Sequence, residues 1–242
     1  RDRARDAAPG LAGAPAERVM DELRRLLLLP GPAAALEGLD ALGGLGALVP
    51  QLEEARGMDQ SAYHHKDVLG HTLEVVQHCA AIAADPEPLF RSSAPRVAAR
   101  LAEPLADGMT RGQVLLFTAV MHDMAKPATR RVTPEGRVTF WHHDRLGAEM
   151  ADAWCRRMRT ANRVREAVAR GVRHHLALGF MVHRQPLSLA QIDRFLRLVA
   201  PDEVEAVVLS AADRLATDGP RTTPDQIRRH LVLAREVMAA HW

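Results

Sequence analysis

An all-α fold with one small β-hairpin is what this sequence predicts. Apolar residues recur at the helical period through nearly every segment that lies between its prolines and glycines. Ala, Leu and Arg, all good helix formers, are abundant, whereas aromatic residues make up only 4% of the chain. Strict alternation of apolar and polar residues occurs in one place, RRVTPEGRVTFW, around Pro134-Glu135-Gly136. It predicts a hairpin at about residues 130–140.

The 242 residues suffice for one sizeable core with a helical appendage. Hydrophobic content of 47% and charged content of 26% are those of a globular protein in water. The formal net charge of +2 is too small to argue by itself for nucleic acid or a membrane surface. Two cysteines, Cys79 and Cys155, give no disulfide framework, and the expected compartment is a reducing cytoplasm. No apolar run approaches the ~20 residues of a membrane span. The chain opens RDRARDAAPG without Met, which reads as a fragment or an irregular start and not as a signal peptide.

Taken in order, residues 1–15 are rich in Ala, Gly, Pro and charge and are expected to be mobile. Residues 16–60 form a helical appendage. Val19, Leu23, Leu26 and Leu27 share one stripe of a helix that stops at Pro30-Gly31-Pro32. A second helical stretch follows, weakened by Gly43, Gly44 and Gly46, and Pro50 opens a short third. Residues 61–242 form the main domain. Lys66–Ala84 carries a strong helical period, with His71, Glu74, Val75 and His78 on one face. Residues 86–104 read as a connection, part of it helical. Arg111–Ala125 is an apolar, buried helix. After the hairpin come two amphipathic helices, HHDRLGAEMADAWCRRMR and ANRVREAVARGVRHHLAL. Pro186 introduces a helix over 187–199, Pro201 opens DEVEAVVLSAADRLAT, and Thr223-Pro224-Asp225 starts a last helix to Trp242.

The chemistry gathers around Met121–Pro127, MHDMAKP. A His-Asp pair at the end of a buried helix is costly unless something compensates. A divalent cation does so, because neutral imidazole and carboxylate are both good ligands. Ten of the twelve histidines lie between His64 and His183, with doublets at 64/65, 142/143 and 174/175. Asp213 interrupts an apolar helix that would otherwise exclude a charge. The candidate ligands are therefore His71, His122, Asp123, His143, His175 and Asp213. Lys126 is one of only two lysines in a chain that writes its other cations as Arg, which marks a need for a compact ammonium. His78, His183, His230 and His241 read as surface or supporting residues. Cys79, Cys155 and Trp154 read as core, Trp141 as an anchor of the hairpin, and the Arg-Arg pairs as solvated faces.

MHDMAKP resembles the signature of the HD-domain metal-dependent phosphohydrolases, and His71, His122-Asp123 and Asp213 match the H…HD…D order of that superfamily. The longer phrases HHKDVLGHTL, MHDMAKPATRRVTPEGRVTFWHHDRLGAEMA and AADRLAT are similar to the HD portion of bacterial CCA-adding tRNA nucleotidyltransferases. Residues 15–52 resemble the helical neck that precedes it there. The nucleotidyltransferase head, with its Gly-Ser loop and paired carboxylates, has no counterpart here, so tail addition is not expected of this chain alone.

The resemblance implies that His71, His122, Asp123 and Asp213 bind metal. It favours His143 over His142, four residues before Gly147, and His175 over His174. It implies that Lys126 reaches the substrate phosphate, and that His64 and Arg214 contact phosphate or support the ligands. One or two ions of Mn, Fe, Co, Ni or Zn are expected, the donors being imidazole and carboxylate. The expected activity is hydrolysis of a phosphomonoester or cyclic phosphodiester, on a nucleotide or related small phosphate ester, by metal-activated water. The alternative is the tRNA-binding HD body of a CCA-adding nucleotidyltransferase-type protein lacking its head. A second alternative is a di-iron oxygenase of the HD type, since the ligand order is shared.

Overall fold

In the computed structural model, residues 2–60, 63 and 65–242 are described. Where a mobile start was expected, Asp2–Ala7 forms helix α1, followed by a 3₁₀ turn over Ala8–Gly13. Ala8 is buried, and Arg5 Nε donates to Ala41 O at 3.1 Å. Its Arg and Ala residues, good helix formers, give this short piece enough helical preference to form where it finds a surface to pack on.

The appendage continues with α2 (Ala16–Leu27), α3 (Pro32–Ala41), α4 (Gly44–Leu48) and α5 (Pro50–Glu54). Gly43, at φ 76°, breaks the second stretch into α3 and α4, a backbone angle that favours glycine. Val19, Leu23 and Leu27 of the expected stripe are buried, while Leu26 lies at its edge. The appendage is tied to the main domain through Leu48 O, which accepts from Trp154 Nε1 at 2.9 Å and from the Arg157 guanidinium at 2.5 Å.

The main domain begins with α6 (Val68–Ala84), whose N-cap Asp67 accepts from Gly70 N at 2.7 Å. The connection after it holds α7 (Glu87–Phe90) and α8 (Ala94–Ala102). A hairpin that the sequence reading lacks then appears, β1 (Pro104–Ala106) with β2 (Met109–Thr110). Asp107 and Gly108 both have positive φ, 54° and 66°, as the tightest hairpin turns require. Helix α9 (Arg111–Met121) follows, started by a Thr110/Gln113 capping box.

Beyond α9 lie α10 (Lys126–Thr129), the expected hairpin β3 (Arg131–Val132) with β4 (Val138–Thr139), α11 (His143–Arg157), α12 (Asn162–His174) and a 3₁₀ turn over Gly179–Arg184. Then come α13 (Leu189–Val199), α14 (Glu203–Leu215) and α15 (Pro224–His241). Ser188 and Thr223 cap α13 and α15 through boxes with Gln191 and Gln226.

Helix α9 is the axis of the core. Every residue from Val114 to Met121 is buried, and α2, α6, α8, α12 and α14 surround it. Glycines let neighbours close on it. A Cβ on Gly171 of α12 would stand 2.5 Å from Thr118 Cγ2 of α9. A Cβ on Gly147 of α11 would stand 3.1 Å from Val172 Cγ1 and 3.6 Å from Ala125 Cβ. A buried ion cluster pins the far end of the axis, where the Arg111 guanidinium meets Asp202 at 3.1 Å and Glu205 at 2.9 Å. Arg170 holds the other oxygen of Asp202 at 2.7 Å.

Candidate metal centre

The expected helix over 111–125 ends sooner than its apolar pattern suggests. It stops at Met121, and His122 is its C-cap. A turn follows, in which Met124 N bonds Met121 O and Lys126 N bonds Asp123 O. Pro127, lacking an N–H, sits in the first turn of α10. The His-Asp pair is thus held in a sharp bend between two helices.

The other candidates also come from helix ends. His71 lies in the first turn of α6 and His143 opens α11. His175 is the C-cap of α12, and Asp213 lies in the last turn of α14. Side chains at helix ends can converge without forcing helix axes together, which explains how separated segments supply one cluster.

Convergence is close. His71 Nε2 is 3.0 Å from Asp213 Oδ1 and 3.5 Å from Asp123 Oδ2. His122 Nε2 is 3.1 Å from Asp123 Oδ2. On the other side, His143 Nε2 lies 3.3 Å from Asp123 Oδ1 and 3.3 Å from His175 Nε2. Two groups of three result, His71–His122–Asp213 and Asp123–His143–His175, each of which could hold a cation. The two oxygens of Asp123 face different groups.

The backbone sets the imidazoles. Nδ1 of His71, His122, His143 and His175 lies 3.3, 2.8, 2.7 and 2.7 Å from the carbonyl oxygens of Ala216, Ala119, Phe140 and Val172. A carbonyl only accepts, so each ring in its neutral form carries its proton on Nδ1 and turns the Nε2 lone pair inward. The facing Nε2 atoms of His143 and His175 then repel unless a cation lies between them. His122 Nε2 is buried with no hydrogen-bond partner of acceptable geometry. A donor set of imidazole and carboxylate, oriented from behind and left unsatisfied in front at His122, fits a transition-metal ion.

Electrostatics agree. Burial opposes charge on Asp123, yet His122 and Lys126 hold its carboxyl well below the usual range. Burial likewise opposes charge on Asp213, but His71 holds it far down. Burial would lower His122, and the neighbouring Asp123 outweighs it and raises the imidazole. Burial pushes His175 down to about 4, helped by His122. The two carboxylates are thus held ionised and His175 neutral, as a cation requires, while the raised His122 favours an extra proton that a bound ion would displace.

Lys126 is buried, with Nζ 2.6 Å from Asp123 Oδ2, 2.6 Å from Gln60 Oε1 and 5.4 Å from the centre of the Phe140 ring. It lines a cavity of about 690 Å³ that also touches Asp123, His143, His175 and Asp213. His142 adopts the left-handed region at φ 65° and is exposed, and His174 is half-buried beside Arg173, so the structure turns His143 and His175 inward in their place. Arg214 is not on the cavity wall, and its guanidinium points to Gln226 Oε1 at 3.5 Å. Of the two roles expected of it, contact with phosphate or support of the ligands, this position beside Asp213 suits the second, because the helical twist that aims Asp213 inward carries Arg214 towards α15. His64 lies outside the described residues.

Sequence reasoning missed Gln60, which has no motif around it, and Thr217, whose Oγ1 donates to Asp213 O at 2.8 Å. It also read Trp141 as a hairpin anchor, whereas that indole is 73% exposed at the cavity mouth. His230 is buried against Ser210 Oγ at 3.0 Å, and His183 is exposed. Cys79 and Cys155 are buried thiols, Cys155 pushed up to about 12 by burial, as inert core residues are.

The HD domain family model matches residues 68–218, and the model described as "Probable RNA and SrmB- binding site of polymerase A" matches residues 2–56. A CC-adding tRNA nucleotidyltransferase of Thermus thermophilus is 37% identical over 204 residues, 84% of this chain and 40% of that protein. An A-adding tRNA nucleotidyltransferase of Deinococcus radiodurans is 29% identical over 228 residues, 93% of this chain and 45% of that protein. A multifunctional CCA protein of Methylococcus capsulatus is 30% identical over 161 residues, 66% of this chain and 31% of that protein. The chain thus spans less than half the length of the curated relatives it matches. No described helix is long and apolar enough to cross a membrane.

Proposed function

This chain belongs to the HD-domain family, and on that premise we propose that it is the RNA-binding and HD body of a tRNA nucleotidyltransferase-type protein. The carrying observation is one of order. An RNA-binding-region match over 2–56 precedes the HD match over 68–218 in one chain, and the likeness to the CC-adding enzyme covers 84% of the chain. Arginines of the appendage differ in their partners. Arg24, Arg25 and Arg56 are engaged by acids, and Arg5 by the carbonyl of Ala41, whereas Arg3 and Arg18 are exposed with no ion-pair partner among the described residues. The latter two cations are free for phosphates. A gel-shift assay with tRNA at about 50 mM salt tests this, since phosphate contacts weaken steeply as salt rises. A shift that is lost on charge reversal at Arg3 and Arg18 supports the reading, and no shift at low salt refutes it.

A second reading is supported by the oriented imidazoles and Lys126: the HD centre hydrolyses a phosphate ester. His71, His122 and Asp213 would hold one ion and Asp123, His143 and His175 a second, with Asp123 shared between them. A bound ion would supply a low-pKa water and polarise the phosphoryl oxygen. The side chains do the rest. Lys126 directs its ammonium into the cavity, where it offsets charge gathering on the phosphoryl oxygens. Gln60 and Asp123 fix that ammonium in place, and the Nδ1–carbonyl bonds keep the four rings from turning. Phosphate release from a panel of nucleotides and small phosphate esters with added Mn, Co or Ni checks this. The reading expects release from wild type and none from the His122→Ala/Asp123→Ala double variant. A metal-loaded protein inert across the panel overturns it.

A further inference from the structure

Two aromatic side chains at the mouth of the metal cavity are left uncovered by the fold. Trp141 is 73% exposed and Phe180 is 70% exposed, and both line the cavity that Lys126 and His143 share. The chain has five Phe, three Trp and one Tyr, and three of these aromatics, Phe140 included, line this one cavity. Large rings left in water beside a polar site mark a binding surface.

Both residues are next to or near candidate ligands in the chain. Trp141 lies between Phe140, whose carbonyl holds His143 Nδ1 at 2.7 Å, and His142, whose left-handed backbone turns the chain into α11. Phe180 lies in the 3₁₀ turn just beyond His175, its N–H bonded to Leu176 O at 3.2 Å. The same wall carries Arg145, which is exposed and pairs with no carboxylate among the described residues. At about 690 Å³ the cavity is far larger than a bare phosphate group needs and is within the usual range for small-molecule sites.

We infer that Trp141 and Phe180 are the specificity-determining residues of this centre: their rings form a platform on which the base of a nucleotide ester stacks at the cavity rim. The phosphate lies deep, against Lys126 and the ligand cluster, and the sugar spans the distance between. Aromatic faces accept any base, so the platform selects for a nucleotide without selecting its sequence. A free nucleotide and the terminal nucleotide of an RNA strand present the same chemistry. The inference rests on the reading of the centre as a phosphate-ester site.

Rapid-filtration binding to the Mn-supplemented 242-residue chain, read before any ester is cleaved, with labelled adenosine 3′-phosphate, ribose 5-phosphate and inorganic phosphate tests it directly. Wild type is expected to bind the nucleotide about tenfold or more tighter than ribose 5-phosphate, the usual scale of one stacked base. Trp141→Ala and Phe180→Ala erase that preference, Trp141→Phe retains most of it, and Trp242→Ala, at the chain's far end, leaves it as in wild type. Circular dichroism confirms that each variant is folded. A short RNA bearing a 3′-phosphate distinguishes the two sources, since tighter binding than the mononucleotide identifies a strand end and equal binding a free nucleotide. Equal binding of nucleotide and ribose phosphate by wild type, or a preference that survives both alanine variants, overturns the platform. Uptake of inorganic phosphate without nucleotide preference overturns the platform alone, whereas no uptake of any probe removes the phosphate-site reading with it.

Discussion

Replacing His230 with Gln flattens the acid side of this protein's stability curve. His230 is buried at 6% exposure, its Nε2 3.0 Å from Ser210 Oγ, and burial pushes its pKa down to about 4. In the unfolded chain the same imidazole titrates near 6.5, its ordinary value. A depressed histidine adds stability above its unfolded pKa and loses it as pH falls towards the folded one, because only the unfolded chain gains the proton. Between pH 8 and pH 5 that uptake costs the fold about 2 kcal/mol. Gln keeps a neutral polar group near Ser210 and cannot titrate. Urea unfolding of both proteins at the two pH values, with chelator present, measures the difference. His175, which is depressed, and His122, which is raised and so acts with the opposite sign, are common to both proteins and cancel. Wild type is expected to lose about 2 kcal/mol more than His230→Gln. Parallel losses would refute the reasoning.

Gly171→Ala places a Cβ 2.5 Å from Thr118 Cγ2, and overpacking of about 1–3 kcal/mol outweighs the helix preference gained, so the melting temperature falls. Arg111→Ala leaves Asp202 and Glu205 buried without their shared cation and costs about 3–5 kcal/mol in chemical unfolding. If Gln60 positions Lys126, Gln60→Ala lowers kcat for a hydrolysed ester with little change in KM, and Gln60→Glu, which keeps an acceptor for the ammonium, restores part of it. A change in KM alone would argue against that positioning role.

Much of this arrangement was legible in the residues. Helical periodicity places the main helices because burial of one face is what fixes them, and the hairpin at Pro134-Glu135-Gly136 follows from turn chemistry. The Asp107-Gly108 hairpin carried an equally readable turn signal, but its strands are too short to alternate visibly. The end of α9 was not legible, since the apolar run continues through Met124 and Ala125 while the backbone bends at His122. The doublets at 142/143 and 174/175 are ambiguous by type alone. Backbone geometry decides which member turns inward, through the left-handed His142 and the end of α12. Gln60 and Phe180 belong to the site only through tertiary approach, which no local spacing encodes. The two roles open to Arg214 were indistinguishable in the sequence for a related reason, because adjacent residues on a helix point about 100° apart and only the fold shows which way each faces.

If the six side chains around the His122–Asp123 bend jointly hold a cation, calorimetric titration of chelator-treated protein with Mn or Zn will show it. Saturable uptake of one or two ions per chain is expected, with strong loss of affinity in the His122→Ala/Asp123→Ala variant. Absence of saturable uptake by folded wild type, or undiminished uptake by the double variant, would contradict it.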